Sequence, residues 1–417
     1  MRLEAKRWLL LACCTVIYFF MGQTYAWSVF VKPFAAHFQW SVADAMVAFS
    51  IFHSMTLPGG FVGAVAQHRW NVKPKSVVLV GGLIYGLGIL LVGFTTNLTT
   101  LWIGYGFMGG GGFGLMYSTI LPCMVKYFPD RRGLACGILV AGVGAAPLVW
   151  APIGVYMIGL FGVLAVFKIL GVLSLIVFCT LGFVVKNPPD GFIPEGWVPS
   201  NIQQAAMEVE NKDWLGMLKD PLYYTISLGV AMMAFSGLMI ISSASPILQT
   251  TSGFTPAVAA YWVGILGLCN FSGRLFWGYL SDKFGRMQCL IVIYSIVGCA
   301  MLWMTVADSN QIIVPLLVVG MAFGGLMGMS VSVGADAFGQ KHLVLNAVIL
   351  FFPFAVGAFF GPRLLHVMYA KTGSYSVTFI YASILGFIAA VLAFISVRIM
   401  SQRRQRVLAA RTGAGAV

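Results

Sequence analysis

The side chain with the most chemical promise is an arginine that no sequence neighbour neutralises. Arg274 lies in the run Tyr261-Trp-Val-Gly-Ile-Leu-Gly-Leu-Cys269-Asn270-Phe-Ser-Gly-Arg274-Leu-Phe-Trp-Gly278, where nearly every residue is apolar. Removing a guanidinium from water costs several kcal/mol, so an arginine in such a run faces a wet cavity and a partner. No acidic residue in the other apolar runs offers itself. The counter-ion this leaves is one that arrives from outside, an anionic substrate. A guanidinium fork suits a planar carboxylate, giving two charge-assisted hydrogen bonds. The competing reading is an arginine that snorkels to the membrane face, since Arg274 sits ~9 Å from the middle of its run. Asn270 is one helical turn before it, placed to orient the arginine or the substrate, or to bond a neighbouring helix. His53, in Ala48-Phe-Ser-Ile-Phe-His53-Ser-Met, carries the side chain that titrates near neutral pH. It is a candidate for substrate contact or a coupled proton, against the alternative of a hydrogen-bonded residue between helices.

These residues need a scaffold, and composition says which. The chain of 417 residues is 59% hydrophobic and 9% charged, far below the roughly one quarter charged of soluble domains, so it is expected to be an integral membrane protein. The apolar run from Trp8 to about Val31 follows Arg2, Lys6 and Arg7. It is too long for a signal peptide and no small-residue cleavage site follows, so it is expected to be the first span. Spans are predicted at 8–32, 44–66, 75–95, 100–122, 132–156, 161–186, 221–247, 256–280, 286–307, 312–335, 343–369 and 375–398, each near the ~20 residues a bilayer needs. Twelve spans put both ends of the chain on one face. That face collects twenty lysines and arginines, among them Arg69, Lys126, Lys186, Lys283 and Arg398, against Lys32, Lys168, Arg363 and Lys371 on the other. The positive-inside rule then predicts cytoplasmic termini. The formal charge of +13 is thus a topology signal, and no nucleic-acid partner is expected. The eight cysteines lack metal-like spacing and lie mostly in apolar runs, so they are expected to be small buried thiols; no metal and no cofactor are expected.

The long polar stretch is 187–220. It divides the chain into a six-span bundle over 1–186, a linker over 187–220 expected to be cytoplasmic, a second six-span bundle over 221–400, and a basic tail over 401–417. The halves echo each other. Trp40-Ser41 precedes span 2 and Phe254-Thr255 precedes span 8, each offering a hydroxyl cap, and Asp44 completes a capping box with Ser41. Asp44 is read chiefly as a helix start, with a proton-coupling role as the lesser alternative. Spans 2 and 8 both end in a glycine-containing basic turn, Gly63-Ala-Val-Ala-Gln67-His-Arg69 and Gly278-Tyr-Leu-Ser-Asp282-Lys283-Phe-Gly285-Arg286. Two related halves place a substrate site at their interface near the bilayer midplane.

The second turn resembles the G-x-x-x-D-[RK]-x-G-R signature of the major facilitator superfamily, so Gly278, Asp282, Lys283, Gly285 and Arg286 are its candidate gating residues. The first copy has Gln67 in place of the acid, which is expected to weaken gating there. The chain also resembles one branch of that superfamily, the oxalate/formate antiporter family, related to the monocarboxylate transporters. The resemblance spans essentially the whole chain. It is carried by Gly22-Gln-Thr-Tyr25-Ala-Trp27-Ser28-Val-Phe30 with Pro33, by Tyr117 with Lys126-Tyr-Phe-Pro129-Asp-Arg131-Arg132-Gly133-Leu-Ala-Cys-Gly137, and by the linker Asn187-Pro-Pro-x-Gly-Phe-x-Pro-x-Gly-Trp197-x-Pro199.

The resemblance implies an all-α fold of twelve transmembrane helices in two pseudo-symmetric six-helix bundles; the sequence shows no nucleophile–base pairing, metal cluster or nucleotide motif, so no enzymatic activity is expected. It implies that Arg274 binds the substrate carboxylate and that Tyr117 and Tyr25 line the pocket, packing being the alternative for both. The departure is in span 11. Oxalate carriers of the family have a second intramembrane cation, a lysine, in the segment matching Asn346-Ala-Val-Ile-Leu-Phe351-Phe-Pro353-Phe354. Here that position matches Phe354, with Phe351 nearby. A dicarboxylate would leave one charge unpaired, whereas a monocarboxylate meets Arg274 at one end and phenylalanine at the other. Arg363 is read as an outer-edge arginine that snorkels, a relocated cation being the alternative.

The expectation is therefore a proton-coupled, alternating-access carrier of small monocarboxylates of the lactate or pyruvate type. Its partners would be a small organic carboxylate, a proton and the lipid bilayer, the protein monomeric and sited in a bacterial inner membrane. The alternatives are a carboxylate exchanger of the oxalate/formate type and a transporter-fold sensor. Gly109-Gly-Gly-Gly112-Phe-Gly114 lacks the following Lys-Ser/Thr of a phosphate loop and is assigned to close helix packing. Pro147, Pro152 and Pro353 are assigned to kinks.

Overall fold

The computed structural model describes residues 3–128, 130, 132–189, 192, 194, 211–339 and 342–411. Most of the expected linker and the last six residues of the tail lie outside these, as do Pro129, Arg131 and Trp197. The described chain is all-helical. Eleven helical segments are long and apolar enough to cross a membrane. The fourth expected span is a continuous rod of three helical types, Leu98–Leu101, the π-helix Trp102–Gly109 and the α-helix Gly110–Tyr127. Two other spans are interrupted. Span 1 runs from Leu3 to Phe38 with a 3₁₀ segment, Gly22–Ala26, in its middle. Span 11 consists of Leu343–Leu350 and Phe354–Thr372, separated by a turn that ends at Pro353, which has no N–H to continue the ladder.

The helix starts follow their local chemistry. Ser41 Oγ accepts the Asp44 N–H at 3.0 Å and donates to the Asp44 carboxylate at 2.6 Å. Thr255 Oγ1 accepts from Val258 N at 3.4 Å, and Asp220 caps span 7 through the Leu222 N–H at 2.9 Å. Asn97 is the cap of the fourth rod, accepting from Thr100 N at 2.9 Å. Gly285, at φ +92°, separates spans 8 and 9 in a conformation that disfavours any side chain.

Pairing between helices reveals the internal symmetry. In the first half, span 1 packs on span 5, span 2 on span 4, and span 3 on span 6; in the second, span 7 packs on 11, 8 on 10, and 9 on 12. Adding six to each pair of the first set gives the second. The two halves meet mainly through spans 5 and 8 and through spans 11 and 2, which are again one pair related to itself by the same operation. Within the first half, glycines of span 4 allow close pairing at defined places. Cβ atoms on Gly110 and Gly114 would stand 2.2 and 2.0 Å from the Phe52 and Thr56 carbonyls of span 2, and one on Gly112 would stand 2.5 Å from the Gly81 carbonyl of span 3. The run from Gly109 to Gly114 is thus a packing surface, although Gly111 faces open space.

No disulfide is formed among the described residues, and of the eight cysteines only Cys14, Cys123 and Cys289 are buried; Cys299 is exposed on span 9. The expectation of uniformly buried thiols fails because a helix on the perimeter shows one side to lipid, where a thiol is as well tolerated as in the core.

Candidate functional site

Arg274 stands on span 8 (Pro256–Phe284), four residues past its centre and so about 6 Å from it. The side chain is buried, 4% exposed, and does not snorkel. Its Nη1 donates to the Val140 carbonyl of span 5 at 2.6 Å, across the junction of the two halves. Its Nε donates to Asn270 Oδ1 at 3.1 Å. The Tyr25 hydroxyl stands beside the guanidinium, placed to accept from it. Among the described residues no carboxylate pairs with Arg274. The guanidinium is held by neutral acceptors alone.

Asn270 serves both roles open to it. Oδ1 receives Arg274, and Nδ2 donates to the Gly320 carbonyl of span 10 at 3.1 Å. The amide is therefore anchored on one side and orients the arginine on the other. The backbone beneath is tightly seated: Cβ atoms on Gly324 and Gly328 would stand 2.1 and 2.9 Å from the carbonyls of Asn270 and Arg274. From the other half, Gly144 of span 5 faces the pair, and a Cβ there would lie 3.0 Å from Asn270 Oδ1 and 3.2 Å from Arg274 Nε. A side chain at 144 would push the arginine away. Gly144, the Val140 carbonyl and the span-10 glycines were not legible as site components, since backbone atoms and missing side chains leave no polar mark in a sequence.

Tyr25 reaches this place because the 3₁₀ segment of span 1 is pinned on both sides. Gln23 Nε2 donates to the Tyr85 hydroxyl at 2.9 Å and to Ser174 Oγ at 3.0 Å, while Thr24 shares a hydrogen bond with the Tyr105 hydroxyl at 3.0 Å. The face between them carries Tyr25. Its ring lies parallel to that of His53, with centroids 5.9 Å apart. His53, 4% exposed, is packed among Tyr25, Phe49 and Phe52, and its Nδ1 lies 3.3 Å from the Phe49 carbonyl. Tyr117 stacks on Tyr18 and Phe113 and lies within electrostatic reach of Arg274 and Tyr25. The structure thus gathers Arg274, Asn270, Tyr25, His53 and Tyr117 around the junction of spans 1, 2, 4, 5 and 8.

Other sequence candidates fall elsewhere. Phe354 is buried and its ring faces Phe323 of span 10 at 6.5 Å, next to the Ala355 carbonyl, which takes Ser54 Oγ of span 2 at 3.0 Å. Phe351 lies in the turn of span 11, its carbonyl accepting the Phe354 N–H at 2.9 Å. Asp44 is exposed at the start of span 2, engaged with Ser41. Arg363 is exposed and points away from the interior. In the turn after span 8, Arg286 pairs with Asp336 at the end of span 10, and Lys283 lies over the Tyr279 ring at 4.6 Å. A Cβ on Gly278 would meet nothing within 4 Å. The Asp282 side chain lies outside the described ones. In the other half, Gln67 donates to Thr119 Oγ1 of span 4 at 3.0 Å, a neutral bond where an acid was expected to be missed.

A multi-pass helical membrane protein with twofold internal repetition, and a buried cation at the seam of its halves, is built as a transporter. The family model of the Major Facilitator Superfamily matches residues 11–352 and, in a second match, 228–414. The chain belongs to the major facilitator superfamily, a family of transporters and not of enzymes. It is 26% identical over 400 residues to the oxalate:formate antiporter of Oxalobacter formigenes, covering 94% of this chain and 91% of that one. It is 26% identical over 359 residues to the uncharacterized MFS-type transporter YhjX of Escherichia coli (strain K12), covering 85% and 86%. With monocarboxylate transporter 13 of Rattus norvegicus it shares 25% over 370 residues, covering 87% and 82%. Among solved structures, a bacterial homolog to the human lysosomal transporter Spinster, in an inward-facing conformation, has the same fold, with a TM-score of 0.70 at 17% identity over 95% of this chain and 98% of that one.

Proposed function

We propose that this protein is a proton-coupled carrier of small monocarboxylates that works by alternating access, with Arg274 as the anion site. The observation that carries the reading is a buried guanidinium, 4% exposed, whose described partners are all neutral. A buried unpaired charge is costly, and a substrate carboxylate is the counter-ion that removes the cost. With Nε held by Asn270 and Nη1 by the Val140 carbonyl, the carboxylate engages the Nη1/Nη2 end of the fork, the Tyr25 hydroxyl at its side. His53, stacked on Tyr25, is the proton carrier of this reading, and Asp44 the weaker candidate. The termini face the cytoplasm, the chain is divided at its 187–220 linker, and the carrier is a monomer of a bacterial inner membrane.

Similarity to relatives named for oxalate and for monocarboxylates supports the carboxylate class. The phenylalanines at 351 and 354 favour one carboxylate over two, since neither supplies a second cation. The exchanger reading draws its support from the likeness to the oxalate:formate antiporter over 94% of the chain. Uptake into proteoliposomes free of counter-substrate separates the two. A symporter accumulates labelled lactate or pyruvate in response to an imposed proton gradient; an exchanger stays still until the lumen is loaded. Phe354→Lys sharpens the substrate assignment: competition should move from lactate towards oxalate. A wild-type preference for oxalate, or a folded variant whose preference does not move, would sink the monocarboxylate assignment.

A further inference from the structure

At the face opposite the basic one, a polar cluster joins three spans that the arginine site does not use. Lys32, near the outer end of span 1, donates from Nζ to Gln249 Oε1 at 3.2 Å and to Thr250 Oγ1 at 3.5 Å, both on span 7. These bonds tie the first half to the second. Rocking one half against the other opens one face at a time, so this tie must break whenever that face opens.

Behind the tie lies a buried histidine. His366 of span 11 is 4% exposed, and its Nε2 lies 2.9 Å from Ser243 Oγ, which in turn meets Ser242 Oγ at 3.1 Å. Gln249, the first acceptor of Lys32, is itself held by Ser245 Oγ at 2.9 Å, on the same stretch of span 7. The second acceptor, Thr250, meets the Tyr375 hydroxyl, and the Tyr375 ring stands edge-on to His366 with centroids 6.4 Å apart. His366 therefore adjoins the second acceptor of Lys32 through Tyr375, and shares with the first only the stretch of span 7 that carries both.

The charges around it are few. Span 1 presents Lys32, the cation His366 feels, and in its last turn His37, exposed and edge-on to Phe38. Span 7 contributes no ionisable side chain between Ser242 and Thr251. The start of span 12 contributes Tyr375, stacked on Tyr369 of span 11 itself at 4.3 Å. Span 2 carries Asp44, exposed and engaged with Ser41, and His53, enclosed in its own ring stack. Arg363 and Lys371 of span 11 are exposed. Asp308, exposed between spans 9 and 10, precedes Ser309, whose Oγ donates to the Thr251 carbonyl at 3.0 Å; among the described residues no acid bonds a member of the cluster itself.

We propose that His366 is a second protonation site of the carrier, and that its proton opens the face opposite the basic one by repelling Lys32 from span 7. This rests on the proton-coupled reading above and adds to it a residue, a direction and a place. A proton on His366 sets a second positive charge behind the Lys32 tie with no acid bonded there, among the described residues, to absorb it. The repulsion is relieved when span 1 withdraws and water reaches both groups. Because protonation favours the open arrangement, acid on that side shifts the population towards it, as linkage requires. Proton uptake and exposure of the site to that side then become one event.

The test reads opening directly and needs no substrate. Spin labels attached through a thiol-independent, non-canonical residue at Ala36 and Ala257, both exposed at the outer ends of spans 1 and 8, report the distance across that face in nanodiscs between pH 8 and pH 5. The wild-type distance should lengthen on acidification, and His366→Gln should lose most of that response while staying in the short-distance form. Lys32→Gln, at a half-exposed position, should also lose it, and reads the same switch if His366→Gln fails to fold. A wild-type distance that ignores pH, or a pH response retained in either folded variant, overturns the proposal. Failure of the carboxylate reading would show separately, as absent uptake by wild-type protein whose face still opens in acid.

Discussion

Two charges are buried here to nearly the same degree, Asp220 at 3% exposure and Arg274 at 4%, and their surroundings are opposite. Asp220, at the start of span 7, has everything a buried carboxylate needs from its own chain. Lys212 Nζ donates to Oδ2 at 2.8 Å, Arg403 from the end of span 12 donates to Oδ1, and the Leu222 N–H adds a third bond. Burial pushes this carboxyl up, but Arg403, Lys212 and the Leu222 amide outweigh it and hold it down at about 2. Arg274 has three neutral acceptors and no acid among its described partners. A fixed ion pair locks elements together, and the Asp220 cluster does so for spans 7 and 12. A charge left without its opposite is, in the function proposed above, kept for a substrate anion that comes and goes. The contrast separates a clamp from the proposed binding site, although both would read as conspicuous charged residues in an apolar chain.

Substitutions should break the two differently. The largest effect is expected from Arg274→Lys. Lysine keeps the charge but loses the planar fork, and one charge-assisted hydrogen bond is worth about 1.5–3 kcal/mol. Carboxylate uptake should fall at least ~10-fold, while thermal unfolding in detergent barely moves. Near-normal uptake at normal expression would remove Arg274 from the site. Asp220→Asn should reverse the pattern, costing on the order of 2 kcal/mol of stability, below a fully buried pair because both cations keep some solvent. Its melting temperature should drop while substrate affinity holds. The sign with pH follows from the lowered carboxyl: its contribution is complete above the ordinary carboxylate range and is lost as pH falls through about 2. The Asn variant should therefore lose the acid-sensitive part of the unfolding curve below about pH 4.

Gly144→Ala tests the arginine's seat with a smaller change. The new methyl lies 3.0 and 3.2 Å from Asn270 Oδ1 and Arg274 Nε, so these polar atoms must yield by a few tenths of an ångström. An overpacking cost of about 1 kcal/mol should emerge as several-fold weaker carboxylate binding at unchanged maximal flux. Unchanged affinity would mean that the contact with span 5 does not shape the site. The smallest effect is expected at Gly278, where an added Cβ meets nothing within 4 Å. Gly278→Ala should leave stability unchanged or raise it by less than ~1 kcal/mol through helix propensity. A marked loss of stability there would place an unseen neighbour beside the turn.

Much of the scaffold could be read from residue types. The hydroxyl caps at Ser41 and Thr255 lie at helix starts because the preceding turn and the following apolar run define them locally. Asn270 and Arg274 share a face because four residues is one turn. What escaped was everything decided by meeting another segment. The guanidinium bonds a backbone carbonyl at Val140, which any residue would supply. His366 belongs to no sequence pattern, and its setting appears only where Ser243 of span 7 and Tyr375 meet it. The π-helix of the fourth rod was invisible too, since the glycines that permit it at Gly104, Gly106 and Gly109 equally permit an ordinary helix. Span 11 is expected to kink at Pro353, and the helix goes further there, stopping at Leu350 and restarting at Phe354.

The 3₁₀ segment of span 1 has a consequence for how that helix is mapped. Each of its five residues, Gly22–Ala26, turns the chain by about 120° and advances it by about 2.0 Å, against about 100° and 1.5 Å in an α-helix. Over five residues the outer part of the span is therefore rotated by about 100° and carried about 2.5 Å further than a single α-helix would allow. A helical wheel drawn through all of span 1 assigns Trp27, Phe30 and Phe34 to the wrong azimuth relative to Cys14, Ile17 and Tyr18. Scanning mutagenesis of this span should accordingly show two sensitive stripes out of phase, with the step falling between Met21 and Trp27.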